Sequence, residues 1–268
     1  MSRLHGMGWV WLIILVGLIV LAVVGPLLIS PGAARQTNPT NQFSNPGPDH
    51  LLGTDQAGRD VFARSVYAAR ISLLSALFAA SVAMLLGVGV GGIAGASSRW
   101  LDWMLMRGTD VLLAFPGLLL ALTITALLNA GIWQAALAVG IALSPVAVRL
   151  VRAAVLQVLS RQYVEVSKSL GAGPMWIARV HLLPGISAEL IAFGTVILSY
   201  SLLNLAALDF LGVTGDPTQA TWGHMLADGR AYLSLAPWIA LVPGLMLTAS
   251  VVSAIGLGDS LKRSTQYQ

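Results

Sequence analysis

The chain has 268 residues, of which 56% are hydrophobic and 10% charged, with a mean hydropathy of +0.80. Soluble domains carry about 25% charged residues, so these charges cannot cover a soluble body, which excludes an ordinary soluble enzyme, a disordered regulator and a nucleic-acid binder. The formal charge of +4 is spread too thinly to suggest an acidic partner and reads as membrane orientation, while the absence of cysteine excludes thiol catalysis, disulfides and cysteine metal sites.

The first apolar run opens at Trp9 and continues to Ser30, long enough for the roughly 30 Å hydrocarbon core that about 20 helical residues cross. A signal peptide is the competing reading, because Arg3 gives a positive start and Gly32-Ala33-Ala34 resembles a cleavage site. The run exceeds the ~7–15 residues of a signal core, which favours an uncleaved span. A loop rich in Pro, Asn and Gly follows, and further spans are predicted at 71–96, 109–130, 133–155, 186–210 and 236–257. Longer polar stretches separate them at 31–70, 97–108, 156–185 and 211–235. Their alternation predicts an all-α integral membrane protein with six transmembrane helices and both termini on one side.

Charge sets the orientation. With the N-terminus inside, Arg3, Arg99, Arg107, Arg149, Arg152, Arg161, Lys168, Arg179, Lys262 and Arg263 lie on the inner side. Arg35, Arg59, Arg64, Arg70 and Arg230 lie outside, beside Asp49, Asp55, Asp60, Asp209, Asp216 and Asp228. This bias places both termini in the cytoplasm. Trp9, Trp11, Trp100, Trp103, Trp133 and Trp238 fall near span ends, where an indole suits the headgroup level. Pro26, Pro116, Pro145 and Pro243 lie in or at the edges of spans and bend their helices.

Several motifs lead nowhere. Gly89, Gly91 and Ala94 fit a loose dinucleotide fingerprint but sit inside an apolar span, with no strand before them. The same stretch reads better as Gly87, Gly91 and Gly95 on one helix face, small residues that let two helices approach closely. No phosphate-binding G-x-x-x-x-G-K-[ST] loop exists, so the chain does not bind ATP in that way. The histidines His5, His50, His181 and His224 have no metal spacing, and no G-x-S-x-G elbow is present. The motifs call for no catalysis, cofactor or metal.

The inner segment 163–185 is longer than a simple turn between spans. Tyr163 to Leu170 can form a short helix with Gly171 at its C-terminal cap, and Pro174 can open a second. Met175, Trp176 and Val180 would give that second helix an apolar contact surface. Leu183-Pro184 then leads into the next span. Taken alone, these features fit an interfacial hairpin on lipid headgroups as well as a docking element.

In this segment the chain resembles the permease subunits of bacterial ABC importers, whose inner loop carries E-A-A, three residues, G, nine residues, I-x-L-P. Glu165, Gly171, Leu183 and Pro184 stand at the matching spacings, with Val166 and Ser167 for the two alanines and His181 for the isoleucine. His50-Leu51-Leu52-Gly53-Thr54-Asp55 followed by Gly58-Arg59-Asp60 narrows the resemblance to the dipeptide, oligopeptide and nickel permease group. So do Asp110 with Ala114-Phe115-Pro116, then Phe210-Leu211-Gly212, Trp222-Gly223, Met225-Leu226, Gly229-Arg230, Tyr232, Pro243-Gly244 and Gly258-Asp259. The resemblance covers about residues 50 to 263, with Gly185 where asparagine is frequent and no Asp-Pro after Lys262-Arg263.

The resemblance implies a type I ABC importer permease-like fold in the bacterial inner membrane. It divides the chain into an N-terminal helix and outer loop with an interfacial segment (1–70), a five-helix permease core (71–263) with a coupling loop at 156–185, and a tail (264–268). Glu165, Ser169, Leu170, Gly171, Ala172, Gly173, Met175, Leu183 and Pro184 would then form the ATPase-coupling loop. The implied partners are a second homologous permease, two cytoplasmic ATPase subunits and an extracytoplasmic substrate-binding protein, besides membrane lipid; nucleic acid is not among them. Peptides, nickel or a metal chelate would be the cargo.

Two further expectations come from the residues themselves. Thr54 or Asp55 can cap a short helix whose Arg59, Arg64 and Arg70 face headgroups. Ser144, Thr195, Ser199, Tyr200, Ser201 and Asn204 are polar candidates for the passage; Asp110, Glu189 and Asp209 are ionisable ones near span ends. The rival class, a self-sufficient secondary transporter or channel, would show paired broken helices or buried ion-coordinating carboxylates, and the sequence signals neither.

Overall fold

The computed structural model describes residues 6–129, 131–214 and 219–266; Arg3, His5 and Asp216 lie outside them. In chain order the helices are α1 (Gly6–Leu28), α2 (Pro31–Arg35), α3 (Val61–Leu86), α4 (Gly92–Ala96), α5 (Arg99–Leu113) and α6 (Gly117–Leu127). They continue with α7 (Ile132–Leu159), α8 (Gln162–Ser169), α9 (Pro174–Ile177), α10 (Leu183–Phe210), α11 (Trp222–Gly229) and α12 (Trp238–Gln266). Lipid offers no hydrogen-bond partners, so apolar segments close their backbone bonds within helices. Among the described residues the only β pairing is an isolated bridge between Thr54 and Asp60. Among the described residues five helical spans are long and apolar enough to cross a membrane, or six if α5 and α6 form one bent crossing.

That bent pair replaces the uninterrupted span expected at 109–130. α5 ends at Leu113, and α6 leaves at 87° after Ala114, Phe115 and Pro116. Pro116 has no N–H to extend the α5 ladder, and its ring disfavours helical backbone at Phe115. The 11 residues of α6 reach only about 16 Å, too short to cross alone.

α3 begins earlier than the expected 71, because the Asp60 carboxylate caps it by accepting the Ala63 N–H at 2.9 Å. It continues through a π-helical stretch, Gly87–Gly91, into α4. The small-residue face lies against α7 as its spacing predicts. A Cβ on Gly87 or Gly95 would stand 2.7 Å from the Ala147 Cβ or Val155 Cγ1, and one on Gly91 would strike the Val148 carbonyl. Higher up, Gly140 of α7 meets the Ala79 carbonyl of α3 in the same way.

α1 packs on α3 and α12, with the Trp11 ring over Gly256. α10 and α12 form another close pair, Gly258 fitting against Thr195. The short α11 folds back from the segment after α10 into the bundle. Thr221 caps it by accepting the His224 N–H at 3.1 Å, and Trp222 is fully buried. The Trp222 indole donates to the Ser65 carbonyl at 3.2 Å, and its backbone N–H donates to Ser72 Oγ at 3.1 Å. Each bond satisfies a group that would otherwise be stranded in the core.

Candidate coupling loop, passage face and outer network

The segment after α7 is a pair of short helices joined by a glycine turn. At the end of α8 the Ala172 N–H donates to the Ser167 carbonyl and the Gly171 N–H to the Lys168 carbonyl, both at 3.0 Å. This is a Schellman C-cap, and Gly171 supplies its left-handed residue with φ +89°. Gly173 leads into α9, whose first residue is Pro174, where a missing N–H costs nothing. A π-helical stretch, Ala178–Leu182, joins α9 directly to α10, so the helix leaving the loop is also the next span. Val164 and Ile177 are buried beneath the hairpin, and Leu182 and Ile186 pack against Val151, Ala154, Val155 and Val158 of α7.

The opposite side of the hairpin is open. Leu170 is 84% and Met175 66% exposed, with Tyr163, Val166 and Trp176 also exposed. Glu165, Ser169, Gly171, Gly173, Leu183 and Pro184 are exposed too, while Ala172 is half-buried. Two of the three departures from the loop pattern meet each other: Ser167 Oγ lies 3.0 Å from His181 Nε2. The His181 ring sits between Tyr163 and Trp176, each with ring centroids 5.1 Å away. A polar pair inside an aromatic bracket thus stands where the pattern has an alanine and an isoleucine. Sequence spacing gave no sign of this pairing across the Gly171 turn.

Two of the cations assigned to the inner side are tied to α5. Arg152 grips Asp102 of α5 through two bonds, at 2.5 and 2.6 Å, and Arg149 donates to Asp110 at 2.6 Å. Arg161, Lys168 and Arg179 remain exposed on the loop itself.

The structure separates the passage candidates. Ser144, Ser199 and Ser201 are buried inside the bundle, and Thr195 is wedged against Gly258. Three of the hydroxyls serve helix backbone: Ser144 donates to the Ile141 carbonyl, Thr195 to the Ala192 carbonyl, and Ser199 to those of Thr195 and Val251. Within this chain these four residues lie at or beside helix contacts, with Thr195 half-buried. Tyr200 is 50% exposed, and Asn204, one turn further on, is half-buried and donates to the Tyr200 carbonyl at 2.8 Å. Both lie on α10 close to an apolar groove of about 400 Å³ bordered by Leu118, Leu203, Ala207, Phe210, Leu226 and Leu247. Glu189 is half-buried, and Asp209 is buried under α11 with its Cβ against Gly223.

At the outer end, the expectation that Arg59 and Arg64 face headgroups is wrong. Arg64 is 3% exposed, and its guanidinium donates to Asp55 Oδ2 at 2.6 Å. Arg59 holds the same oxygen at 2.7 Å, and both arginines approach Asp228 of α11, at 3.8 and 3.5 Å. A buried cation needs such partners. Asp55 does cap, but it caps a turn: Oδ1 accepts the N–H groups of Ala57 and Arg59. Thr54 bonds the Asn41 carbonyl, and Asp60, not either of them, caps α3. The two outer motifs, one at 50–60 and one at 222–229, are thereby joined. Only Arg70 is exposed as expected.

Several helices long and apolar enough to cross a membrane, an open groove beside α10 and a capped hairpin between α7 and α10 fit a multi-pass membrane protein. The chain belongs to the family described as the binding-protein-dependent transport system inner membrane component, which matches it over residues 87–267. It is 38% identical over 253 residues to the dipeptide transport system permease protein DppC of Alkalihalophilus pseudofirmus, covering 94% of this chain and 83% of that relative. It is 40% identical over 212 residues to the di/tripeptide transport system permease protein DppC of Pseudomonas aeruginosa, covering 79% and 70%. Identity to the glutathione transport system permease protein GsiD of Escherichia coli is 34% over 245 residues, covering 91% and 81%. The chain is accordingly a permease subunit of an ABC importer and not itself an enzyme, and that role implies ATPase, binding-protein and second-permease partners.

Proposed function

We propose that the chain forms half of a passage for short peptides in the inner membrane. It would pair with a second, related permease above two cytoplasmic ATPase subunits, and an extracytoplasmic binding protein would deliver the cargo. The relatives' names, for dipeptide, di/tripeptide and glutathione transport, support a short peptide over a nickel ion or metal chelate. The bias of inner over outer Lys and Arg supports cytoplasmic termini and a cytoplasmic 163–185 hairpin. In this reading residues 1–70 anchor and cap the outer side, 71–263 form the moving core and 264–268 a tail. Their first boundary falls inside α3, so the anchor and the core are joined by continuous helix.

The observation that carries the coupling role is the union of an exposed apolar crown, Leu170 and Met175, with a hairpin fused without a break to α10. The ATPase would grip the crown around Glu165, Ser169, Leu170, Gly171, Ala172, Gly173 and Met175. Leu183 and Pro184 would pass its movement into α10, whose Tyr200 and Asn204 face the passage. Neither side chain carries a charge, so specificity would rest with the binding protein. The test replaces Glu165 with Lys and Gly171 with a bulky residue in the complete importer, reading uptake and assembly together. An assembled double variant should lose uptake; one that takes up substrate normally would remove the loop from the mechanism.

A further inference from the structure

Two ion pairs join α5 to the part of α7 that leads into the 163–185 hairpin. Arg152 holds Asp102 with a two-pronged contact, and Arg149 holds Asp110. Asp102 and Asp110 are about 12 Å apart along α5, whereas Arg149 and Arg152 are about 5 Å apart along α7. The long arginine side chains take up the difference, so two well-separated points of α5 are tied to a single turn of α7. Trp133, near the other end of α7, is about 29 Å from Arg152, close to the roughly 30 Å of a hydrocarbon core. The pairs thus sit at a membrane boundary, where their charges keep access to water.

The packing of α5 gives these pairs their importance. Thr109 is its one buried residue, and Trp100, Trp103, Met104 and Val111 are exposed. Apolar burial against α7 is thin, and a guanidinium–carboxylate fork fixes both distance and orientation. Beyond the 87° elbow, α6 is packed into the core with Ala121 against the outer half of α7, and its Leu118 borders the groove. A movement of α7 at the hairpin thus has a stiff path to the groove.

We propose that the Asp102–Arg152 and Asp110–Arg149 pairs are positioning residues for transport: they make α5 follow α7 and, through the Pro116 elbow, set α6 at the passage face. The inference rests on the coupling role of the 163–185 hairpin. The experiment uses the complete importer in proteoliposomes, comparing Asp102→Arg, Arg152→Asp and the two together. The readout is ATP hydrolysed per dipeptide taken up. Each single reversal should raise that ratio roughly tenfold, and the swapped pair should return it to within about threefold of the wild type. A merely structural role lowers hydrolysis and uptake in parallel and leaves the ratio unchanged, which would overturn the proposal.

If a single reversal does not assemble, Asp110→Asn and Arg149→Gln serve instead, because those side chains are 43% and 55% exposed. They should raise the ratio about threefold; an unchanged ratio there overturns the proposal equally. The two readings fail separately. Normal uptake by the hairpin double variant defeats the coupling role, whereas impaired hairpin variants beside a normal ratio in the α5–α7 variants defeat only this one.

Discussion

The seam between α3 and α7 gives a quantitative test at Gly140. A Cβ there would lie 2.7 Å from the Ala79 carbonyl oxygen and 2.7 Å from the Val82 Cβ. Carbon and oxygen settle at about 3.3 Å, so the helices must part by about 0.5 Å along a seam packed as densely as a crystal. Because one side of the clash is backbone, the cost falls in the upper part of the usual overpacking range, about 2–3 kcal/mol. Alanine recovers up to about 1 kcal/mol of that through its higher helix propensity. Gly140→Ala should therefore lose about 1–2 kcal/mol, and Gly140→Val, with two more methyl groups, about 3 kcal/mol or more. At about 2–4 °C per kcal/mol, the apparent Tm should fall by about 2–8 °C for alanine and further for valine. Gly17 of α1 is the control, because a Cβ added there would meet no neighbour within 4 Å; Gly17→Ala should leave Tm unchanged or raise it. Thermal unfolding followed by intrinsic tryptophan fluorescence in nanodiscs would decide. A Gly140→Ala protein as stable as Gly17→Ala would refute the close approach of α3 and α7.

The outer network predicts that Arg64→Gln costs about 3 kcal/mol or more, because it strips one partner from a buried Asp55. Arg70→Gln, at an exposed site, should stay within about 0.5 kcal/mol; equal Tm values for the two would contradict the buried pairing. On α10, Tyr200→Ala or Asn204→Ala should reduce dipeptide uptake by the assembled importer. Ser199→Ala should leave uptake unchanged while losing about 1 kcal/mol of stability with its bond to the Val251 carbonyl. The opposite pattern in a transport assay would place the passage elsewhere. Gly171→Ala should cost about 1 kcal/mol, since φ is +89° there. A Gly171→Asn variant, better suited to that backbone, should lose less in the same melt.

The membrane class, most of the crossings and the caps of the hairpin were legible because each is written in contiguous residues. A long apolar run, a Gly at a helix end and a Pro at a helix start carry their meaning locally. What was not legible depends on residues far apart in the chain. Arg64 looked like a headgroup ligand because its partners, Asp55 and Asp228, lie on either side of it at very different separations. Ser144 and Ser199 looked like passage residues because a polar side chain in a span reads the same whether it faces an opening or a neighbouring helix. Pro116 signalled a bend, but neither its angle of 87° nor the ion pairs that tie α5 to α7 across 39 and 50 residues is written in neighbouring positions. The Ser167–His181 pair was hidden for the same reason: two separate departures from a pattern become one compensated contact only after the Gly171 turn brings them together.

Coupling of cytoplasmic ATP hydrolysis to peptide entry through the 163–185 hairpin can be measured in the assembled importer. The most direct measurement is dipeptide accumulation in proteoliposomes carrying both permeases, the ATPases and the binding protein, with and without ATP, for the wild type and for the assembled Glu165→Lys/Gly171→Leu variant. The account predicts ATP-dependent accumulation by the wild type and its loss in the variant while all subunits remain bound. Accumulation without ATP, or undiminished accumulation by the variant, would contradict it.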